Sequence, residues 1–229
     1  MKKLLIALFS LSAFAAHAQQ NMDWPNLKRY EDANSKVPPP APGEKRVIYM
    51  GDSITDFWIV ADSAFFAGKH YYDRGISGQT TPQMLLRFRE DVINLKPSVV
   101  VILAGINDIA ENTGPNKLEN VCGNIQSMVE MARAAHIKVV ISSVLPANRI
   151  SWRPSIIPTE KVIQLNKMLK DYADANKVVY LDYYSAMVDS EKGLPKNLSN
   201  DGVHPTLEGY KTMEPLAEKA IDEALRRKQ

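Results

Sequence analysis

The chain has 229 residues, of which 45% are hydrophobic, 24% charged and 8% aromatic. This composition excludes an intrinsically disordered chain, a collagen-like repeat and a disulfide-dense mini-protein. The formal charge is +2, from 28 basic and 26 acidic residues, and Lys2 and Lys3 account for the whole excess. The remainder is balanced in charge and has no global field to attract nucleic acid or anionic lipid, so neither is an expected partner.

The first eighteen residues have the pattern of a secretory signal peptide. Two lysines precede a short apolar run, residues 4–16, which ends in the small-x-small sequence Ala16-His17-Ala18. The run is shorter than the ~20 residues that span a bilayer. We expect cleavage after Ala18, export to the periplasm or the medium, and no membrane span in the mature chain. The single cysteine, Cys122, excludes an intramolecular disulfide, and its neighbours favour a small buried helix residue over a reactive thiol.

Residues 19–44 form a polar lead-in that ends in a proline-rich run, residues 37–43. A proline run has a stiff extended backbone and cannot be a helix interior or a central strand, so we expect an arm on the domain surface. Residues 45–229 then alternate β-branched runs with amphipathic stretches. The predicted strands are residues 46–50, 70–73, 98–104, 138–144 and 178–182. The predicted helices are residues 82–95, 117–135, 158–175 and 207–227.

Two of the predicted strands contain continuously apolar runs, residues 99–103 and 139–141. This pattern suits a parallel sheet covered on both faces. Alternating strands and helices with right-handed crossovers predict one α/β domain of three layers, and we find no internal repeat and no second domain. Ligands of such sheets bind beyond the carboxyl ends of the strands, so the residues after each strand are site candidates.

Polar motifs follow three of the strands. In Gly51-Asp52-Ser53 the serine can point its hydroxyl into the crevice from a strand-to-helix turn, or it can simply cap the helix. Residues 74–81 follow the second strand, and their glycines allow positive φ and close approach to a ligand, or merely a turn capped by a threonine. Asn107 follows the third strand and can donate its amide N–H to an oxyanion or close an Asx turn.

A fourth motif lies near the C-terminus. The three-residue spacing of Asp201 and His204 allows the carboxylate to hold the imidazole from behind. Pro205 restricts the backbone of His204 to an extended conformation, and Thr206 can cap the following helix. The other histidines are poorer candidates because they lie in the signal, at a strand start or at a helix end.

In this order the four motifs resemble the blocks of the SGNH, or GDSL-type, serine hydrolase family, over residues 47 to about 210. The resemblance implies a flavodoxin-like fold with a five-stranded parallel sheet in the order 2-1-3-4-5. It implies that Ser53 is the nucleophile, that His204 and Asp201 complete a catalytic triad, and that a metal and a cofactor are not needed. The sequence is most similar to lysophospholipase-like and platelet-activating-factor-acetylhydrolase-like esterases, and several relatives of that type deacetylate carbohydrates.

The same resemblance implies an oxyanion hole made by the Ser53 backbone N–H, Gly78 and Asn107. Gly78 is preferred to Gly75 because Ile76-Ser77-Gly78 matches the family pattern. We interpret the neighbouring Asp52 and Asp108 as residues that brace their turns. The alternative that Asp52 and Asp201 form the carboxylate pair of a glycosidase is less favoured. A metal site at Asp201 and His204 is also less favoured, because the sequence offers no further ligands at suitable spacing.

Three side chains are expected at the rim of the crevice as substrate-binding residues: Arg149, Trp152 and Trp58. Trp152 could stack on a sugar or could pin its loop to the domain. We therefore expect an exported esterase of small soluble esters, with acetylated carbohydrates as the first candidate substrates. The alternatives are a lysophospholipase or thioesterase and, in another class, a non-catalytic carbohydrate-binding module. The oligomeric state is not readable from the sequence.

Overall fold

The computed structural model describes residues 23–227. The predicted signal peptide, with cleavage after Ala18, and the first residues of the arm lie outside the described residues. Within residues 23–227, no helix is both long and apolar enough to cross a bilayer. The five strands of the sheet are Val47–Gly51 (β1), Tyr71–Gly75 (β2), Val99–Leu103 (β3), Lys138–Ser142 (β4) and Val179–Leu181 (β5).

The sheet is parallel throughout and has the order β2-β1-β3-β4-β5. This confirms the predicted flavodoxin-like α/β fold. Every residue of β3 is buried, as its apolar run predicts for a strand that is covered on both faces. Every residue of β1 is buried as well. Gly51 pairs with Gly75 on one side and with Leu103 on the other, so three strands end level with one another. Their following loops therefore meet at one edge of the sheet.

Ten α-helices surround the sheet in the described part of the chain. They are Lys28–Ser35 (α1), Ser53–Asp56 (α2), Trp58–Ala61 (α3), Ser63–Phe66 (α4), Thr81–Asp91 (α5), Ile106–Ile109 (α6), Leu118–Ala134 (α7), Thr159–Asn176 (α8), Tyr183–Met187 (α9) and Leu207–Arg226 (α10). α7 contacts both α5 and α8, whereas α10 packs on β3, β4 and β5 and also contacts α9. Cys122 is buried in α7, as predicted.

The predicted element bounds differ from the structure in two instructive places. The predicted helix over residues 82–95 ends at Asp91, and Ile93–Leu95 form a 3₁₀ turn that Lys96 closes in the left-handed conformation, with φ of 50°. The second strand continues to Gly75, two residues beyond its predicted end. Arg74 and Gly75 are not typical strand residues, but pairing with β1 holds them in the sheet.

The arm contains a helix that the sequence pattern does not predict. α1 is held at its start by the Asp23 carboxylate, which accepts from the backbone N–H groups of Leu27 (2.8 Å) and Lys28 (3.0 Å). Tyr30 is the only buried residue of α1, so the helix lacks the apolar periodicity that would reveal it. The proline-rich run beyond it is neither helix nor strand, as expected.

Candidate active site

The loop after β1 presents Ser53 to the carboxyl edge of the sheet. Asp52, and not Ser53, caps α2: its Oδ1 accepts from the backbone N–H of Ile54 at 3.0 Å. The serine is the first residue of α2, and its Oγ lies 2.8 Å from Nε2 of His204. The capping interpretation of Ser53 is therefore wrong, because its hydroxyl is paired with an imidazole 151 residues away.

Asp201 binds the His204 ring on the side away from Ser53. Nδ1 of the ring lies 2.6 Å from Asp201 Oδ2, while Oδ1 of that carboxylate accepts from the backbone N–H groups of Val203 (2.9 Å) and His204 (2.8 Å). Because a carboxylate can only accept, Nδ1 carries the proton and Nε2 is left as the acceptor toward Ser53. Thr206 caps α10 through its Oγ1, as predicted, which fixes the chain just beyond the histidine.

The ionisation of Asp201 follows from the same contacts. Burial disfavours its charged form, but hydrogen bonds from the His204 ring and from the backbone N–H groups of His204 and Val203 outweigh burial and lower its pKa to about 2. Asp201 is therefore ionised at neutral pH. A neutral imidazole between this carboxylate and a serine hydroxyl is the arrangement needed to accept the serine proton.

Gly78 and Asn107 lie on the two neighbouring loops. Gly78 has φ of 79°, the left-handed region that favours glycine. Asn107 lies in α6 and is 1% exposed; its Nδ2 donates to the Gln79 carbonyl at 3.1 Å. Its Oδ1 accepts from Asn112 Nδ2 at 2.9 Å instead of closing an Asx turn. Asn112 Nδ2 also lies 3.3 Å from the Gly78 carbonyl, so the two predicted oxyanion residues are linked.

Asp52 and Asp108 stabilise their turns by hydrogen bonds, as we predicted from the sequence. Asp108 accepts from the backbone N–H (2.9 Å) and from Oγ1 (2.7 Å) of Thr81, which fixes the start of α5. Asp52 is buried, and burial raises its pKa to about 7. Residues 23–227 contain no cluster of three or more His, Cys, Asp or Glu side chains that could hold a metal ion.

Two of the three predicted rim residues lie beside His204 or beside the loop that carries it. The Trp152 ring is 38% exposed and lies 5.7 Å from the His204 ring, and its Nε1 donates to Asn112 Oδ1 at 3.1 Å. Arg149 is exposed and lies alongside Gly202, where an added Cβ would come within 3.0 Å of its Nε.

Trp58 is not at the rim, so its predicted role in substrate binding is wrong. It is 1% exposed and stacks on Phe65 and Tyr210, with ring centroids 5.0 and 5.4 Å away. The indole is the largest apolar side chain in this segment, and it is buried among the neighbouring aromatic rings. Phe57, the preceding residue, lies at the rim instead: it is 44% exposed, and its ring lies 5.3 Å from that of His204.

A buried arginine that the motif search missed ties the site loops together. Arg87 donates to Asp91 Oδ2 at 2.9 Å, to Gln79 Oε1 at 2.5 Å and to the Gly51 carbonyl at 2.9 Å. It thereby joins the end of β1, directly before Asp52, to the loop of Gly78. The one signal in the sequence is a charged residue on the apolar face of α5, between Met84 and Phe88.

Comparisons with known proteins agree with this arrangement. The model of the GDSL-like Lipase/Acylhydrolase family matches residues 49–212. The structure of a candidate acylhydrolase from Bacteroides fragilis is 51% identical, covering 90% of this chain and 100% of that one, with a TM-score of 0.88. The structure of a GDSL-like lipase from Bacteroides thetaiotaomicron is 48% identical, covering 87% of this chain and 98% of that one, with a TM-score of 0.85.

A more distant neighbour shares the fold. It is the acetylxylan esterase Axe2 from Geobacillus stearothermophilus, 21% identical, with a TM-score of 0.65 over 85% of this chain and 100% of that one. The search of curated proteins found no match. The family model covers well over half of the sequence, and two structures at about half identity span nearly all of the described chain. The chain belongs to the GDSL-like lipase/acylhydrolase family.

Proposed function

We propose that this acylhydrolase is an exported serine esterase that hydrolyses short-chain, acetyl-type carboxylic esters, with acetylated carbohydrates as the natural substrates. The observation that carries the proposal is the hydrogen-bonded row from Ser53 Oγ through the His204 ring to Asp201, with contacts of 2.8 and 2.6 Å. The proposal includes the predicted organisation: a signal peptide over residues 1–18, an arm over 19–44 and the hydrolase domain over 45–229.

The reaction starts with attack of Ser53 Oγ on the ester carbonyl carbon. The hydroxyl proton passes to His204 Nε2, and the Asp201 carboxylate stabilises the imidazolium without taking the proton. The tetrahedral intermediate collapses as the imidazolium protonates the leaving alcohol, which leaves an acyl group on Ser53. A water molecule, deprotonated by the same imidazole, then attacks this acyl-enzyme, and the acid and the free serine are released.

The negative charge on the former carbonyl oxygen needs donors that are already in place. The proposed donors are the backbone N–H groups of Ser53 and Gly78 and the Asn107 side-chain amide. The Ser53 N–H lies in the first turn of α2 and has no intrahelical acceptor. Donors held before reaction stabilise the transition state more than the bound ester, so they raise kcat more than they lower KM.

The packing next to the site residues supports a short acyl group. Ile54, Ile106 and Val203, the neighbours of Ser53, Asn107 and His204 in the chain, are at most 3% exposed, and the space among them is too small for a water molecule. This packing leaves no cavity among these side chains for a long acyl chain. On the alcohol side, Phe57 and Trp152 are partly exposed aromatic residues next to His204, which suits a sugar ring. The likeness to the acetylxylan esterase concerns the fold and is consistent with this choice.

Ser53→Ala tests the nucleophile. We expect hydrolysis of p-nitrophenyl acetate to fall by about 10⁴-fold or more, because the remaining site lacks a nucleophile. The midpoint of thermal unfolding should change little, since one hydroxyl is removed. Ser35→Ala, which removes an exposed hydroxyl of α1, is the matched control and should keep wild-type kinetics. A folded Ser53→Ala protein with wild-type rates would contradict the assignment, and an inactive wild-type protein would favour a non-catalytic carbohydrate-binding module.

The substrate class is tested with a series of p-nitrophenyl esters of rising acyl length. We expect kcat/KM to be highest for acetate and to fall for longer chains, because the buried apolar side chains next to the site residues leave no cavity for a long acyl chain. Acetate release from acetylated xylan should exceed cleavage of lysophospholipid and of an acyl thioester. The opposite ranking would contradict the proposed acetyl esterase activity and would favour a lysophospholipase or thioesterase.

A further inference from the structure

We infer that Asn112 is a positioning residue for the oxyanion hole, and that the Trp152 indole N–H sets its orientation. The inference rests on the proposed function, since it assigns the residues that aim the Asn107 amide. Asn112 follows α6, and its backbone N–H donates to the Asn107 carbonyl at 3.1 Å. Its side chain contacts Asn107 of α6, the Gly78 carbonyl and Trp152, which belong to three separate segments of the chain.

An asparagine amide can take two orientations of nearly equal shape, with oxygen and nitrogen exchanged. For Asn107 these orientations have opposite consequences. One presents N–H groups to a developing oxyanion, whereas the other presents a carbonyl oxygen that repels it. A hydrogen-bond network that selects the first orientation therefore contributes to catalysis without touching the substrate.

The donor and acceptor types along this network allow only one assignment. The indole Nε1–H of Trp152 can only donate, so the oxygen of the Asn112 amide must face it, at 3.1 Å. The Asn112 nitrogen then faces Asn107, whose oxygen must accept, at 2.9 Å. The Asn107 nitrogen is left to donate to the Gln79 carbonyl at 3.1 Å, an atom that can only accept.

Hydrogen bonds to Gln79 and Asn112 fix the Asn107 amide from both sides. The Gln79 carbonyl holds one hydrogen of Nδ2, and Asn112 holds Oδ1 from the other side, so the amide is fixed at both ends. The second hydrogen of Nδ2 has no protein acceptor among residues 23–227 and is the one available to an oxyanion. The Gly78 carbonyl also accepts from Asn112 at 3.3 Å, so the same side chain ties the second proposed donor loop to the first.

Trp152 thereby acquires a role in addition to its place beside His204. Its polar edge orients Asn112, while the ring lies beside His204. Trp152→Phe keeps an aromatic ring and removes the N–H donor that orients Asn112, together with part of the ring surface. We expect this variant to lower kcat for p-nitrophenyl acetate severalfold, an ester with no sugar ring to stack. An unchanged kcat would overturn the part of the inference that concerns Trp152.

The sharpest variant is Asn112→Asp, because it keeps the size and the acceptor for Trp152 but puts a carboxylate oxygen against Asn107 Oδ1. We expect kcat for p-nitrophenyl acetate to fall about tenfold or more, as for a mispositioned catalytic group, with KM within about twofold of wild type. We expect a similar fall in kcat for Asn112→Ala. Asn94→Asp, an exposed asparagine with one side-chain contact to Glu90, is the matched control and should keep wild-type kinetics. A wild-type kcat in Asn112→Asp would overturn the inference.

A double-mutant cycle separates positioning from general disruption. If Asn112 acts through Asn107, then Asn107→Ala with Asn112→Ala should have the same kcat as Asn107→Ala alone. Multiplicative losses would show that Asn112 acts elsewhere and would overturn the inference. Failure of the proposed function looks different: ester hydrolysis would then be absent from the wild type or would survive in Ser53→Ala.

Discussion

At the scale of single residues, the chemistry depends on the tautomer of one imidazole. Asp201 is ionised because the hydrogen bonds that it accepts outweigh burial and hold its pKa at about 2. An ionised carboxylate keeps the His204 proton on Nδ1 and leaves Nε2 free to accept from Ser53. Protonation of Asp201 should therefore not limit activity in mild acid.

Asp201→Asn isolates the effect of the tautomer. The asparagine oxygen can still accept from the backbone N–H groups of Val203 and His204, but the amide nitrogen would face Nδ1 and place the imidazole proton on Nε2. We expect kcat for p-nitrophenyl acetate at neutral pH to fall about 10⁴-fold, with little change in thermal stability. Asp171→Asn, which removes an exposed carboxylate of α8, should be neutral. A loss below tenfold would argue that the carboxylate does not control the tautomer.

Individual side chains also show what a sequence can predict. The serine after the first strand and the three-residue spacing of Asp201 and His204 were weak signals alone, and it was the order of the four motifs, with its resemblance to the GDSL-type family, that predicted the pairing of Ser53 with His204. Phe57 and Trp58 could not be sorted in the same way. Adjacent residues at a helix start point in different directions, and which one is buried depends on rings from distant elements such as Tyr210.

At the scale of elements, α5 packs against the sheet and also connects the loops of the site. Arg87 lies on its buried face and bonds Asp91 of the same helix, Gln79 of the preceding loop and the Gly51 carbonyl at the end of β1. Asp91 is also buried, and it accepts from Asn34 of α1 at 2.7 Å. One ion pair therefore connects the arm, the loop of Gly78 and the strand before Ser53.

Arg87→Met measures the energetic importance of this pair. The variant keeps much of the volume but leaves the Asp91 carboxylate buried without its cation, so we expect the free energy of unfolding to fall by about 3–5 kcal/mol. Urea denaturation followed by circular dichroism measures it. Arg89→Met on the exposed side of the same helix is the control and should change stability by less than about 0.5 kcal/mol. Equal stabilities of the two variants would contradict the role of Arg87.

The elements that the sequence predicted well were those with a strong pattern. The apolar runs of β3 and β4 and the long amphipathic helices have the expected type and nearly the expected bounds. α1 could not be predicted, because it has a single buried residue and depends on a tertiary position beside α5. The last two residues of β2 were missed for a similar reason, since their strand conformation comes from pairing with β1.

At the scale of the whole molecule, the parallel sheet explains why a site can form from distant segments. Each strand ends at the same edge, so loops after β1, β2 and β3 meet there, and the segment before α10 supplies Asp201 and His204. The sheet that brings these loops together also buries carboxylates. Burial raises the pKa of Asp73 in β2 to about 7, and its Oδ1 accepts from the backbone N–H of Gly75 at 2.7 Å.

The raised pKa of Asp73 predicts how global stability depends on pH. The folded-state pKa lies above the unfolded value of 3.8, so the folded protein holds more protons between about pH 4 and 7 and becomes less stable as pH rises through that window. Asp73→Asn removes this titration. From pH 5 to pH 8 its free energy of unfolding should rise by roughly 2 kcal/mol relative to wild type. The exposed Asp32→Asn should follow wild type. Parallel pH profiles for Asp73→Asn and wild type would contradict the prediction.

The central claim is that Ser53, activated by His204, forms the covalent intermediate, and active-site labelling tests it most directly. A fluorophosphonate probe loses fluoride and forms a phosphorus–oxygen bond with an activated serine. Mass spectrometry of the tryptic peptide over residues 47–69, with fragmentation to distinguish Ser53 from Ser63, locates the label. We predict full labelling at Ser53 in the wild-type protein and none in folded His204→Ala. A label on another residue, or an active esterase with Ser53 unmodified, would contradict the account.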